Sequence, residues 1–154
     1  MLKFVSYDIV FQEVPNEVSL ALNLSLCPNR CFGCHSPWLW QDKGTELNKP
    51  NIDILLERYF GGITCVCFMG GDNDAKQINL LAKHIKEKYK IKTAWYSGKE
   101  NISQDIDLQN FNFIKLGPYI EKLGGLVKKN TNQKMYQITK DLQLEDITFK
   151  MQKH

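Results

Sequence analysis

No stretch of the 154-residue chain is apolar for the roughly 20 consecutive residues that a membrane-spanning helix needs. The start, Met1-Leu2-Lys3-Phe4-Val5-Ser6-Tyr7-Asp8, lacks the shape of a secretory leader, because charge breaks its apolar stretch. There are five cysteines, and an odd count fits a disulfide framework poorly. These absences predict a protein of the reducing cytoplasm. A strong excess of one charge is missing too: 20 Lys and Arg face 17 Asp and Glu, a net charge of +3. Lys83, Lys86, Lys88, Lys90 and Lys92 read as the solvated face of a helix. With no recognition fold beside them, they argue against nucleic-acid binding. No internal repeat or low-complexity linker interrupts the chain, so one domain spanning 1–154 is expected, with a short C-terminal tail. The composition, 43% hydrophobic and 24% charged, is that of an ordinary globular protein, long enough to bury a core.

Strand and helix periods alternate along the chain. Residues 3–11 and 17–26 alternate loosely and predict two strands. Pro50 and Asn51 open a helix with Ile52, Leu55, Leu56 and Tyr59 at helical spacing, and Gly61-Gly62 stops it. Ile63 to Met69 is a short, nearly continuous apolar run, as in a strand buried on both faces. The spacing of Ile78, Leu81, Ala82 and Ile85 predicts a helix over 74–90. Further strands are expected at Ile91 to Tyr96 and Phe111 to Leu116, with residues 99–110 ambiguous. In the tail, Met135 to Ile138 and Ile147-Thr148-Phe149 look like short strands. This order predicts an α/β fold of parallel strands with crossover helices. The chain is too short for eight βα units, so a partial barrel, open on one side, is the expected architecture. Four strand ends would then meet at one edge: the cysteine-rich loop, Gly70-Gly71-Asp72, Ser97-Gly98 and Gly117-Pro118. Ligands of parallel α/β folds bind at that edge.

The cysteine-rich loop is Cys27-Pro28-Asn29-Arg30-Cys31-Phe32-Gly33-Cys34-His35, a C-x3-C-x2-C run. Pro28, Asn29, Gly33 and Pro37 make it a loop rather than a helix. Three thiolates so close together can hold a 4Fe–4S cluster by three of its irons. The fourth iron then has a vacant position for a substrate. Two other readings stand beside this one. His35 could complete a Cys3His zinc site, although no second cysteine pair gives a usual zinc spacing. The cysteines could also be plain buried thiols. Cys65 and Cys67, two apart in a strand, share one face and read as core.

The C-x3-C-x2-C loop after a strand resembles that of the radical S-adenosylmethionine enzymes, which carry such a cluster in a partial βα barrel. Gly70-Gly71-Asp72 is similar to the Gly-Gly-Glu element of that family. Cys31-Phe32-Gly33-Cys34-His35, with Trp38 behind it, resembles the activating proteins of anaerobic ribonucleotide reductase. Lys115-Leu116-Gly117-Pro118-Tyr119-Ile120-Glu121 and Thr131-Asn132-Gln133-Lys134 resemble activase tail segments, with Leu116 in place of an Asp and Lys134 in place of an Arg. Lys keeps the charge but not the planar fork of donors. The resemblance runs from the first strands to Ile138 and leaves Thr139 to His154 unmatched.

The resemblance implies a glycyl radical enzyme activase, an oxidoreductase that reductively cleaves S-adenosylmethionine. The 5′-deoxyadenosyl radical so formed takes a hydrogen atom from a glycine of the reductase's catalytic subunit. It implies Cys27, Cys31 and Cys34 as cluster ligands. Gly70, Gly71 and Asp72 would hold the methionine end of S-adenosylmethionine, and Gly33, Cys34 and His35 would contact the cofactor. Ser97 is a candidate for the ribose or carboxylate. No residue beyond the cluster ligands is expected to act catalytically, since hydrogen abstraction by a radical needs no proton acceptor. Flavodoxin or ferredoxin fits as the electron donor. Trp38 and Trp40 are open to two readings, partner contact or packing.

Overall fold

The computed structural model describes residues 1–25 and 44–152. Its strands are β1 (Lys3–Val10), β2 (Ser19–Leu24), β3 (Thr45–Glu46), β4 (Cys65–Met69), β5 (Lys92–Tyr96), β6 (Phe113–Leu116), β7 (Lys134–Ile138) and β8 (Leu144–Asp146). The helices are α1 (Lys49–Tyr59) and α2 (Ala75–Tyr89). The strands form one sheet in the order β3-β1-β2-β4-β5-β6-β7-β8. Its centre, β2-β4-β5-β6, is parallel. The flanking pairs β3-β1, β1-β2, β6-β7 and β7-β8 are antiparallel. The fold is therefore α/β with a mixed sheet, and among the described residues β3 and β8 form its unjoined edges.

Local chemistry sets the helix ends. Asn48 caps α1 by accepting from the Asn51 backbone N–H at 3.0 Å, and Pro50 sits in the first turn where its missing donor costs nothing. Asp74 caps α2 by accepting from the Gln77 N–H at 3.2 Å. Lys90 ends that helix in a left-handed conformation, with its N–H on the Lys86 carbonyl. The expected apolar stripes are buried: Ile52, Leu55 and Leu56 on α1, and Ile78, Leu81, Ala82 and Ile85 on α2.

The strands' alternation splits the core in two. Leu22, Val66, Phe68, Trp95 and Ile114 face the helices. Cys65, Cys67, Ala94, Phe113 and Met135 face the other way, under Val14, Leu126 and Ile147. Burying both faces explains why β4 reads as a continuous apolar run.

Three expectations are corrected. First, the strands are not all parallel: the short 11–18 connection returns β1 beside β2 as an antiparallel partner, and the tail strands pair antiparallel too. Second, helices cross over only within β2-to-β4 and β4-to-β5; β5 reaches β6 through a loop with one 3-10 turn at Leu108–Asn110. Third, Ile147-Thr148-Phe149 is no strand, since a 3-10 turn occupies Thr148–Met151 and β8 lies just before it. The Asp146 carboxylate accepts from both the Thr148 N–H (2.9 Å) and hydroxyl (2.6 Å), which turns the chain away from the sheet. Among the described residues no helix is long and apolar enough to cross a membrane.

Candidate functional site

Because β2, β4, β5 and β6 are parallel, their carboxyl ends share one edge. β4 runs into Gly70 and Gly71, whose φ angles of +105° and +93° lie where side chains are strained. A Cβ on Gly71 would stand 2.8 Å from Ile78 Cδ1 and 2.9 Å from Leu24 Cδ1. The turn is thus packed against the last residue of β2. The Gly70 N–H donates to the Tyr96 carbonyl at 3.0 Å, and the Gly70 carbonyl accepts from the Trp95 indole at 2.7 Å. β4 and β5 are thereby tied together at their ends.

Asp72 follows the glycines and reaches across to the end of β5. One carboxylate oxygen accepts from the Ser97 hydroxyl at 2.6 Å and the other from the Gly98 N–H at 2.8 Å. The Ser97 oxygen in turn accepts from the Lys99 N–H at 3.1 Å. Ser97 is buried, so its hydroxyl belongs to this bracing network. Charge-assisted bonds of this kind are about twice as strong as neutral ones.

Lys115, near the end of β6, enters the sequence reading only through the tail resemblance and not as a site residue. It is only 8% exposed, and its ammonium donates to the carbonyls of Ser97 (3.0 Å) and Gly117 (2.9 Å). The ammonium also lies 5.7 Å from the centre of the Tyr96 ring, within cation–π range. A signal was present: one charge inside the apolar run Phe113-Ile114-Lys115-Leu116, two residues from Phe113 and so on its face.

Among the described residues, two hollows flank these strand ends. On the helix side, one of about 310 Å3 is lined by polar groups including Asp72, Asp74, Ser97 and Lys99. On the opposite side, one of about 520 Å3 lies against Met69, Tyr96, Lys115, Leu126 and Gln133. The Tyr96 hydroxyl donates to the Glu13 carbonyl, and burial raises its pKa well above the ordinary value. Cys65 and Cys67 share this face deeper in the sheet. Burial pushes the Cys65 thiol up to about 12 and the Cys67 thiol well up, so both stay protonated and act as apolar packing.

Gly70, Gly71, Asp72 and Ser97 are therefore assembled at one edge, as the strand order predicted. Cys27, Cys31, Cys34, Gly33 and His35, with Trp38 and Trp40, lie outside the described residues. In sequence, Cys27 stands three places after Leu24, the residue that packs on Gly71. Among the described residues no group of three His, Cys, Asp or Glu side chains could hold a metal ion. Comparison with protein-family models, curated proteins and solved structures finds no match for this chain.

Proposed function

We infer that the chain is a radical S-adenosylmethionine activase that generates the glycyl radical of an anaerobic ribonucleotide reductase. One observation carries the reading. The strand that leads into the cysteine loop lies beside β4, and its last residue packs against the Gly70-Gly71-Asp72 turn. The family's two cofactor elements would thus meet at one edge of one sheet. In this reading the sheet is the wall of a partial βα barrel, open on one side.

The donor set fits the cofactor. Three thiols in a C-x3-C-x2-C run are the soft ligands that a 4Fe–4S cluster takes, leaving one iron for S-adenosylmethionine. Once bound, cluster and S-adenosylmethionine supply the electron transfer and the hydrogen-abstracting radical. The protein's part is placement. Cys27, Cys31 and Cys34 hold the cluster as thiolates. Gly70 and Gly71 would offer their backbone to the methionine end from a positive-φ turn that other residues would strain. Asp72 keeps that turn and the Ser97-Gly98 loop in fixed relation. The half-buried Tyr96 and the buried Lys115 line the hollow on the opposite side. The hydrogen donor is a glycine of the reductase's catalytic subunit, and flavodoxin or ferredoxin delivers the electron.

The test is anaerobic reconstitution with iron and sulfide, followed by reduction in the presence of S-adenosylmethionine and chromatography for 5′-deoxyadenosine. The parent should form it and the Cys31→Ala variant should not. Adding the reductase should then give a glycyl EPR signal. A cluster that forms but yields no 5′-deoxyadenosine would point to an electron carrier, and bound zinc without a cluster to a binding module.

A further inference from the structure

Trp95 is a core residue whose one polar group meets the candidate site. It is 1% exposed, stands on β5 opposite Phe68 of β4, and its ring lies 6.3 Å from that of Phe111. Packing on those sides leaves the indole little freedom. Its N–H donates to the Gly70 carbonyl at 2.7 Å, and the side chain also lines the helix-side hollow with Asp72 and Ser97. Buried indoles usually find an acceptor, so a hydrogen bond by itself says only that the core is satisfied. The informative part is which acceptor this one takes.

The glycine turn is a series of peptide units, each tied at one atom. The unit entering Gly70 is tied by its N–H, which donates to the Tyr96 carbonyl at 3.0 Å. The unit leaving Gly71 is tied by its carbonyl, which accepts from the Asp74 N–H at 3.0 Å. Between them runs the unit from the Gly70 carbonyl to the Gly71 N–H, and Trp95 ties that one at its carbonyl. It joins two residues at φ +105° and +93°, both glycine, the residue type with the widest backbone freedom. Turning this unit over changes Gly70 ψ and Gly71 φ, and glycine accepts either sign at little cost. Without the indole it would turn while both neighbouring units stayed bonded. In a planar trans peptide the N–H points opposite to the carbonyl. The indole therefore sets the direction of the Gly71 donor as well.

We propose that Trp95 is a positioning residue of the candidate site. Through the Gly70 carbonyl it locks the Gly70-Gly71 peptide in the orientation that the turn presents to its ligand. That the ligand is the methionine end of S-adenosylmethionine rests on the function inferred above. Position 95 then requires an indole and not merely a large apolar ring, because Phe would fill much of the space and supply no donor.

Two replacements in the full chain test this. Trp95→Phe removes the donor and part of the ring. Benzothienylalanine at position 95 keeps the double ring and carries sulfur in place of the N–H, so packing survives and the hydrogen bond alone is lost. After reconstitution with iron and sulfide, both should raise the KM for S-adenosylmethionine in 5′-deoxyadenosine formation by about three- to tenfold, the worth of one hydrogen bond. Iron and sulfide per chain should stay at the parent's values. A core role alone would lower the thermal midpoint and leave KM where it was. A second readout needs no turnover. In spectra of protein labelled with 15N-glycine, the Gly71 amide signal should broaden or split in the benzothienyl protein, as the freed peptide samples two orientations. The Gly117 signal should stay as in the parent. A parent-like KM in the benzothienyl protein would overturn the proposal, and so would a parent-like Gly71 signal. A parent that forms no 5′-deoxyadenosine would remove the activase reading. The Gly71 signal then decides on Trp95 alone: a broadened signal upholds the lock, and a sharp, parent-like one overturns it.

Discussion

Gly71 concentrates the demands of the candidate site into one residue. Its φ of +93° disfavours any side chain, and the space where a Cβ would go is taken by Leu24 and Ile78. Forcing an L-residue into left-handed backbone costs about 1–2 kcal/mol, and overfilling a packed site about 1–3 kcal/mol more. Gly71→Ala should therefore lower unfolding stability by about 2–5 kcal/mol, read by urea denaturation as a lower midpoint at unchanged slope. An unchanged midpoint would mean that the turn relaxes without cost. The sequence showed Gly-Gly-Asp after a buried strand, and that much was legible from residue order. That Asp72 spends both oxygens on Ser97 and Gly98 was not, because the two lie 25 and 26 residues apart and meet only once β4 and β5 pair.

Among elements, the two helices are joined by a polar clamp at Asp53. Its carboxylate takes the His84 ring nitrogen at 2.8 Å, the Tyr89 hydroxyl at 2.7 Å and the Lys88 ammonium at 3.0 Å. Burial by itself would raise the Asp53 pKa, but hydrogen bonds from His84, Tyr89 and Lys88 outweigh it and hold the group at about 2. A carboxylate depressed in the folded state stabilises above its unfolded pKa, which is near 3.8. That contribution should be complete at pH 5 and drain away as pH falls from about 4 towards 2. Asp53→Asn should cost about 1 kcal/mol at neutral pH, in keeping with a partly exposed pair. It should also flatten the loss of stability between pH 4 and pH 2, followed by denaturation at stepped pH. An equal acid slope in parent and variant would contradict the clamp. The helices themselves were readable from apolar spacing and caps. Their clamp was not, because its partners come from two helices separated by a whole strand.

At the scale of the whole molecule, the parallel centre is held on both sides and the ends are not. β4 and β5 each have two strand neighbours and are buried, whereas β3 and β8 are short, exposed edge strands. Hydrogen exchange should be slowest in β4 and β5, approaching global unfolding, and fastest in β3 and β8. Comparable protection across all strands would mean that the sheet opens only as a unit. The antiparallel flanks also explain how a short chain covers both faces of its sheet. The helices take one side, and the 11–16 turn with the tail takes the other.

The sequence by itself determined the α/β class, the approximate extents of the main strands and helices, and the placement of Gly70, Gly71, Asp72 and Ser97 just after strands. These follow from periods of 2 and 3.6 residues and from turn chemistry, which act over a few residues at a time. The tertiary structure alone decided which strands run antiparallel, where the tail turns away at Asp146, and that Lys115 and Tyr96 line a hollow opposite the helices. Strand direction and partner choice depend on hydrogen bonds between distant segments, and no local pattern encodes them. The same holds for the hollow, because Met69 and Gln133 line it from distant parts of the chain and meet only where the folded chain brings them together.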